Sequence, residues 1–415
     1  MSLALFWSAA AMIGYTYLLF PAIVFLRGLF VRRTYATAEI TPPVSLIIAA
    51  HNEESSIGAK LDNILSLDYP RDLLEVIIAS DGSSDRTNEI VQRYTGQGVR
   101  LLALPRQGKA PALNAAVAAS AGEILVFSDA NSMYAPDAVR ALVRPFADPE
   151  VGGVAGNQQY LPREATGASN DGEHSYWNFD RKLKRAQSQA GNTISATGAI
   201  YAIRRVLFDP VPQGVTDDFV TSTGVITKGY RLVFAPDAVA YEPLAESSRA
   251  EFGRKVRVIT RGLRGVGMRR ELLNPFRYGF YALQLFWHKV LRRLVVFPLL
   301  ILLAVNPLLW HRGPVYRIAA LLQAGFYLCG ALGLLLGKTA VGRLKIFTIP
   351  FYFCMVNLAA LQATLNVVRG RRINIWEPQR AEVPSPEVPG SVLTTTSSPE
   401  HQPTMSTQEP FMEAT

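Results

Sequence analysis

With 415 residues, the chain has room for one α/β domain of roughly 200 residues plus further elements. Hydrophobic residues make up 49% of it, in blocks, with a mean hydropathy of +0.14, which argues against a purely soluble enzyme. The net charge is +9, and both cysteines (Cys329, Cys354) sit in apolar runs while the five histidines form no close pair, so a disulfide framework and a Cys- or His-ligated metal are excluded.

Leu3 to Leu26 is an uncharged stretch of 24 residues, long enough to cross a bilayer as a helix. It lacks the basic start and cleavage site of a signal peptide. Arg27, Arg32 and Arg33 follow it, so the positive-inside rule puts the next domain in the cytoplasm. Residues 1–30 are therefore expected to be an N-terminal transmembrane helix.

From Pro42 the texture changes. Short apolar runs at Val44–Ala50, Glu75–Ser80, Arg100–Leu104 and Glu123–Ser128 predict strands, and Ser55–Ser66, Asp85–Tyr94 and Ala110–Ala121 predict helices between them. That alternation implies an α/β domain over 42–248, with a mostly parallel sheet covered by helices on both faces. Ligands of such sheets bind beyond the carboxyl ends of the strands.

Arg249 to Arg293 holds twelve Lys/Arg and two acids, interleaved with aromatic residues. We expect basic amphipathic helices over 249–293 lying on an anionic membrane surface, with membrane lipids and not nucleic acid as the partner. Uncharged runs follow at Leu294–Trp310, Ile318–Gly337 and Ile346–Val368, giving a membrane region over 294–372. The first two read as a helical hairpin. If the third crosses fully, the basic Arg369–Arg372 cluster falls on the wrong side; re-entry of this run, or a dip of Pro275–His288 into the bilayer, would restore parity. Residues 381–415 are rich in Pro, Ser, Thr and Glu, with five acids and no Lys or Arg, and read as a disordered tail.

The candidate chemistry gathers at predicted strand ends. The first strand ends Ala49-Ala50-His51-Asn52-Glu53 and the second ends Asp81-Gly82-Ser83-Ser84-Asp85. The glycine-rich turn of a dinucleotide fold is missing there. Acids and amides at these positions suit the donors of a base and ribose, with Asp81 foremost. Lys109, in Gln107-Gly108-Lys109, opens a predicted helix and is a candidate partner for a diphosphate. The fourth strand ends Asp129-Ala130-Asn131, two oxygen-bearing side chains that could hold a hard divalent cation shared with phosphate. Thr216-Asp217-Asp218 offers carboxylates able to act as a base for a hydroxyl acceptor, though an acidic helix start is the ordinary reading of such a run. Arg254, Arg257 and Arg261 recur at helical spacing and could grip a diphosphate.

Taken in order, these segments resemble the processive-type, membrane-bound family 2 glycosyltransferases, such as cellulose, hyaluronan and poly-N-acetylglucosamine synthases, over about Val44 to Arg380. The resemblance implies a GT-A-type nucleotide-sugar-binding domain and inverting sugar transfer from a nucleotide-sugar donor, UDP-linked in the first instance. By resemblance Ala49, Asn52, Glu53, Asp81, Lys109, Asp129 and Arg257 bind the nucleotide-sugar. Asp129 and Asn131 hold Mg2+ or Mn2+, and Asp218 is the catalytic base. Thr197, Gly198, Asp217, Arg254, Trp376 and Arg380 line the acceptor side. Two departures stand out: Asn131 replaces a carboxylate, and Val258 replaces the tryptophan that supports the acceptor in polymer synthases. The expected setting is the plasma (inner) membrane with a cytoplasmic catalytic domain, in exopolysaccharide or cell-surface glycan synthesis. Single addition to a lipid-linked acceptor and a non-enzymatic scaffold are the alternatives.

Overall fold

The computed structural model describes residues 1–161, 169–243, 248–337 and 339–371. Its centre is an eight-stranded mixed sheet, ordered β3-β2-β1-β4-β7-β6-β8-β5. The strands are β1 Val44–Ala50, β2 Leu74–Asp81, β3 Val99–Leu104, β4 Ile124–Ser128, β5 Met133–Tyr134, β6 Val151–Leu161, β7 Tyr201–Arg204 and β8 Arg231–Pro243. The first four pair in parallel, β7 runs antiparallel to both β4 and β6, and β6 returns to a parallel pairing with β8.

Strand alternation explains why both faces are covered. Leu46 and Ile48 of β1 point into one layer, with Ile57, Leu61 and Ile64 of the helix Ile57–Leu65 and with the helix Ala138–Val143. Ile47 and Ala49 point into the other, against the helices Lys109–Ala119 and Asp217–Thr227. Because β1 is buried on both sides, it reads as a continuous apolar run and not as an alternating one.

Among the described residues, three helices are long and apolar enough to cross a membrane: Ser2–Phe30, Pro314–Leu336 and Lys345–Val368. The run Leu294–Trp310 is divided differently from its expectation. It forms a ten-residue helix, Val296–Val305, and then a 3-10 segment, Pro307–Arg312, because Pro307 supplies no amide for a further α-helical turn. The helical segments Phe280–Leu285, Phe286–Leu291 and Arg292–Leu294 lead into it.

The third apolar helix packs against the second, where a Cβ on Gly333 would stand 2.5 Å from the Phe347 carbonyl oxygen, but is the more buried of the two. In its most apolar window 44% of residues are buried within the chain, against 11% for Pro314–Leu336. Ala360 and Ala363 pack on Ile259 of the helix Ser248–Met268, Lys255 lies over the Tyr352 ring at 5.9 Å, and Arg264 donates to the Gly370 carbonyl at 3.1 Å. Lys345–Val368 thus runs alongside the basic helix, whose far end meets the sheet domain: a Cβ on Gly265 would stand 2.9 Å from the Phe219 ring.

Candidate active site

Parallel register brings the carboxyl ends of the strands together. Ala50 stands opposite Ser80, Ile48 opposite Ser128, and Asp81 opposite Leu104, so the segments after β1, β2 and β4 emerge at one edge. There His51 Nδ1 lies 2.8 Å from the Asp81 carbonyl, the Asn52 amide oxygen accepts from Ser84 N–H at 2.9 Å, and Glu53 N–H donates to Thr87 at 2.8 Å. The loops after β1 and β2 are therefore one cross-braced unit. Ala49 is a core residue under the Lys109–Ala119 helix, 2% exposed, so it supports the cleft without lining it.

Asp81 is only 1% exposed. Its carboxylate accepts from Gln107 N–H at 2.7 Å, from Gly108 N–H at 2.9 Å and from Arg106 at 2.9 Å. Direct contact with a base therefore has to compete with Arg106. In this geometry Asp81 anchors the loop that delivers Lys109.

Lys109 is the hinge of the site. Its ammonium stands 2.8 Å from Asp129 Oδ1 and 3.1 Å from Asp217 Oδ2, joining the β4 end to the start of the helix Asp217–Thr227. Burial works against this charge, but Asp129 and Asp217 more than offset it and hold the ammonium well above the usual lysine range. Next to them, Asp218 is pushed up to about 6 by burial and by the charge of Asp217, against the pull of Lys109 and Lys289. Thr216, at the N-cap position of that helix, makes no side-chain cap bond, while Asp218 accepts from Phe219 N–H at 2.8 Å. Two carboxylates separated in sequence by almost ninety positions thus share one cation, and a third sits close to the range a general base requires.

The segment before β7 closes the same site. A Cβ at Gly198 would stand 2.8 Å from Asp129 Oδ2, so the close approach of backbone to carboxylate requires glycine there. The neighbouring Thr197 hydroxyl is buried without a hydrogen-bond partner among the described residues. From the basic helix, Arg261 is 9% exposed and feels both Asp217 and Asp218. Arg257 lies behind it: burial, then Arg261 and Arg254, lower its affinity for a proton. Arg254 is engaged by Glu251 at 2.7 and 2.9 Å, one turn back on its own helix. Of these three arginines, Arg261 is the one whose charge is felt together with those of Asp217 and Asp218. Trp376 and Arg380 lie outside the described residues.

Sequence reasoning missed a second buried cluster beneath Asp129. Glu242, near the end of β8, accepts from the Ser132 hydroxyl and the Gln158 amide, and burial together with Asp129 raises it to about 6. Lys60 is fully buried, donates to the Ser132 carbonyl and stacks over the Tyr134 ring at 3.9 Å. Burial lowers it to about 7, against Asp129 and Glu242. Its signal was available: Lys60 falls on the buried face of the helix marked by Ile57, Leu61 and Ile64, where a charge needs a partner.

Asp129 and Asn131 are hard oxygen donors. Among the described residues no group of three or more His, Cys, Asp or Glu side chains could hold a cation by itself. Such a donor set suits Mg2+ or Mn2+ held mainly through phosphate and water oxygens, and the residues present fit that mode.

Residues 45–211 match the family model "Glycosyl transferase family 2". The poly-beta-1,6-N-acetyl-D-glucosamine synthase of Staphylococcus epidermidis is 29% identical over 56% of this chain and 57% of its own length. The beta-monoglucosyldiacylglycerol synthase of Synechocystis is 31% identical over 43% of this chain and 39% of its own. Among solved structures, the mannosyltransferase PcManGT of Pyrobaculum calidifontis, in complex with GDP-Man and Mn2+, is 26% identical with a TM-score of 0.65, covering 89% of this chain and all of that one. The chain spans about half the length, or less, of these curated relatives. The sheet is of the GT-A type, and this chain carries a domain of glycosyl transferase family 2.

Proposed function

We propose that the protein transfers a sugar from a nucleoside diphosphate donor to a hydroxyl acceptor at a membrane surface, with inversion at the anomeric carbon. The observation that carries this reading is the meeting of Asp129, Lys109 and Asp217–Asp218 at one strand edge, a cation between carboxylates beside a carboxyl tuned to about 6. A divalent cation held by Asp129 and Asn131 would neutralise charge on the departing diphosphate. Lys109 exchanges its pairing with Asp129 for the diphosphate oxygens when the donor enters. Arg261 adds a second fixed cation from the basic helix, with Arg257 behind it. Asp218 accepts the proton of the acceptor hydroxyl as that oxygen attacks, and a single displacement inverts the centre. Asn52 and Glu53 brace the base-binding loops, and Asp81 fixes the loop that presents Lys109.

The relatives include one named as a polysaccharide synthase and one named as a glycolipid synthase. The arginines after Ser2–Phe30 support a cytoplasmic catalytic domain. Val258, 41% exposed where polymer synthases carry tryptophan, favours short addition to a lipid-linked acceptor over processive extension. Purified full-length protein offered a panel of UDP- and GDP-sugars, with nucleoside diphosphate release as readout, tests the reaction. Release with none of them would leave only the scaffold reading. Labelled donor with membranes separates the acceptors: lipid-extractable short product supports single addition, and long insoluble product supports a polymer.

A further inference from the structure

The turn that carries the candidate metal donors has little strand structure of its own to hold it. Asp129, Ala130 and Asn131 leave β4, and the Ser132 N–H turns back to the Asp129 carbonyl at 3.3 Å. The strand that follows, β5, is two residues long and pairs with β8 as Met133 with Tyr241 and Tyr134 with Ala240. So short a ladder supplies few main-chain bonds to fix where the Asp129 and Asn131 side chains stand.

The helix Ile57–Leu65 supplies the rest. Lys60 and Asn63 are neighbours on one of its faces. Lys60 Nζ donates to the Ser132 carbonyl and lies 3.9 Å from the centre of the Tyr134 ring. Asn63 bridges the Tyr134 main chain, donating to its carbonyl at 2.9 Å and accepting from its N–H at 2.7 Å. From β8, Glu242 accepts from the Ser132 hydroxyl, and the Ser128 hydroxyl donates to the Ala199 carbonyl at 3.2 Å. The same helix starts at the loop after β1: the Ser56 hydroxyl donates to the Glu53 carboxylate at 2.6 Å, and the Ser56 carbonyl accepts from Lys60 N–H at 3.0 Å. Lys60 is fully buried in the stripe of Ile57, Leu61 and Ile64. Burying an amine costs desolvation that one carbonyl bond and one ring contact recover poorly, and an apolar side chain of similar length would fill the space without that cost. Stability alone is therefore a poor account of a lysine here. What it adds is a directed bond to the main chain one residue beyond Asn131.

We propose that Lys60 and Asn63 are positioning residues for the divalent cation of sugar transfer, clamping the turn Asp129–Ser132 so that Asp129 and Asn131 present their oxygens together to a metal-bound diphosphate. The inference rests on the glycosyltransferase reading and deepens it by naming what holds the metal donors in place. Both side chains act through the main chain of the turn, while the Asp129 carboxylate itself pairs with Lys109. Groups that orient a metal ligand in this way set the affinity of the site although they do not touch the ion.

The test uses full-length protein in detergent micelles, with binding of UDP and of GDP followed as Mn2+ is raised and again in EDTA. Lys60→Met and Asn63→Ala should each raise the Mn2+ concentration for half-maximal nucleotide binding about tenfold, with the affinity in EDTA at its wild-type value. An equal loss with and without metal would mark general damage to the fold and overturn the proposal. If Lys60 acted only as a charge behind Asp129, Lys60→Met would remove a repulsion and lower the Mn2+ midpoint, and Asn63→Ala would leave it alone; either result also overturns the proposal. Asn63 is half-buried and uncharged, so its variant decides even where Lys60→Met fails to fold. A wild-type chain that binds neither nucleotide fails the glycosyltransferase reading and takes this inference with it. Nucleotide binding with wild-type Mn2+ dependence in both variants overturns this inference alone.

Discussion

At the scale of single residues, the site is organised by unequal treatment of neighbouring carboxylates. Asp217 is neutralised by Lys109, while Asp218 is raised to about 6 by burial and by Asp217. A base of this kind is competent only when ionised, so kcat/KM should fall below about pH 6 and level off above it. Because its folded value lies above the unfolded one, Asp218 favours the folded state at low pH, and that contribution is lost as pH rises from about 4 through 6. Asp218→Asn should therefore raise the melting temperature at pH 7.5 while lowering kcat by about 10²–10⁴-fold. A variant that keeps near wild-type transfer would end the assignment. Lys109→Met removes a cation that depresses Asp218, so the acid limb should move to higher pH as donor affinity falls. Gly198→Ala drives a methyl group toward the Asp129 carboxylate; transfer should drop while the fold, measured by circular dichroism, stays intact.

At the scale of elements, the order of strands and helices from Val44 to Ser128 was legible in the sequence because each is a short apolar run closed by a turn. What was not legible is tertiary. Nothing in Arg254, Arg257 and Arg261 says which one reaches the carboxylates, because that depends on how the helix Ser248–Met268 is rotated against Asp217–Thr227. Glu242 lies in a strand whose partners come from β6 and β5, far away in sequence. The third apolar helix is the same lesson in another form: its composition permits a span, and its packing ties its first half to Pro314–Leu336 and its second half to the basic helix. Ala360, Ala363 and Gly370 lie along the basic helix, so we propose that Lys345–Val368 stays on the catalytic side. Residues 369–372 then obey the positive-inside rule, and the segments Val296–Arg312 and Pro314–Leu336 form the outward and returning legs. In a background of Cys329→Ser and Cys354→Ser, His311→Cys should react with an impermeant maleimide on intact cells, and Arg371→Cys only after lysis. Labelling of both from outside would mean that the last helix crosses.

At the scale of the whole molecule, the site is built from segments that only the tertiary fold brings together: the loop after β3 that carries Lys109, the end of β4, the helix at Asp217 and the basic helix Ser248–Met268. On the proposed reading, a bound donor would tie the sheet to the helix Ser248–Met268, because its diphosphate would meet Lys109 and Asp129 as well as Arg261. Ligand stabilisation should then be felt by the entire unit and not by the sheet alone. At about a hundredfold over its dissociation constant, a nucleoside diphosphate contributes roughly 2.7 kcal/mol, enough for a clear rise in melting temperature. That rise should need Mn2+ or Mg2+, since Lys109 gives up Asp129 only when another cation takes its place. Chelation, or Asp129→Asn, should abolish the metal-dependent part and leave any metal-independent part intact. In a variant that keeps Trp287 alone of the five tryptophans, fluorescence reports the coupling, because Trp287 sits in the helical layer against Tyr15, far along the chain from Asp129. Its unfolding transition should shift together with that of the whole chain measured by circular dichroism. If nucleotide and metal moved the sheet transition and left the Trp287 transition where it was, the two layers would not share a site, and the assignment of Arg261 to the donor would fall.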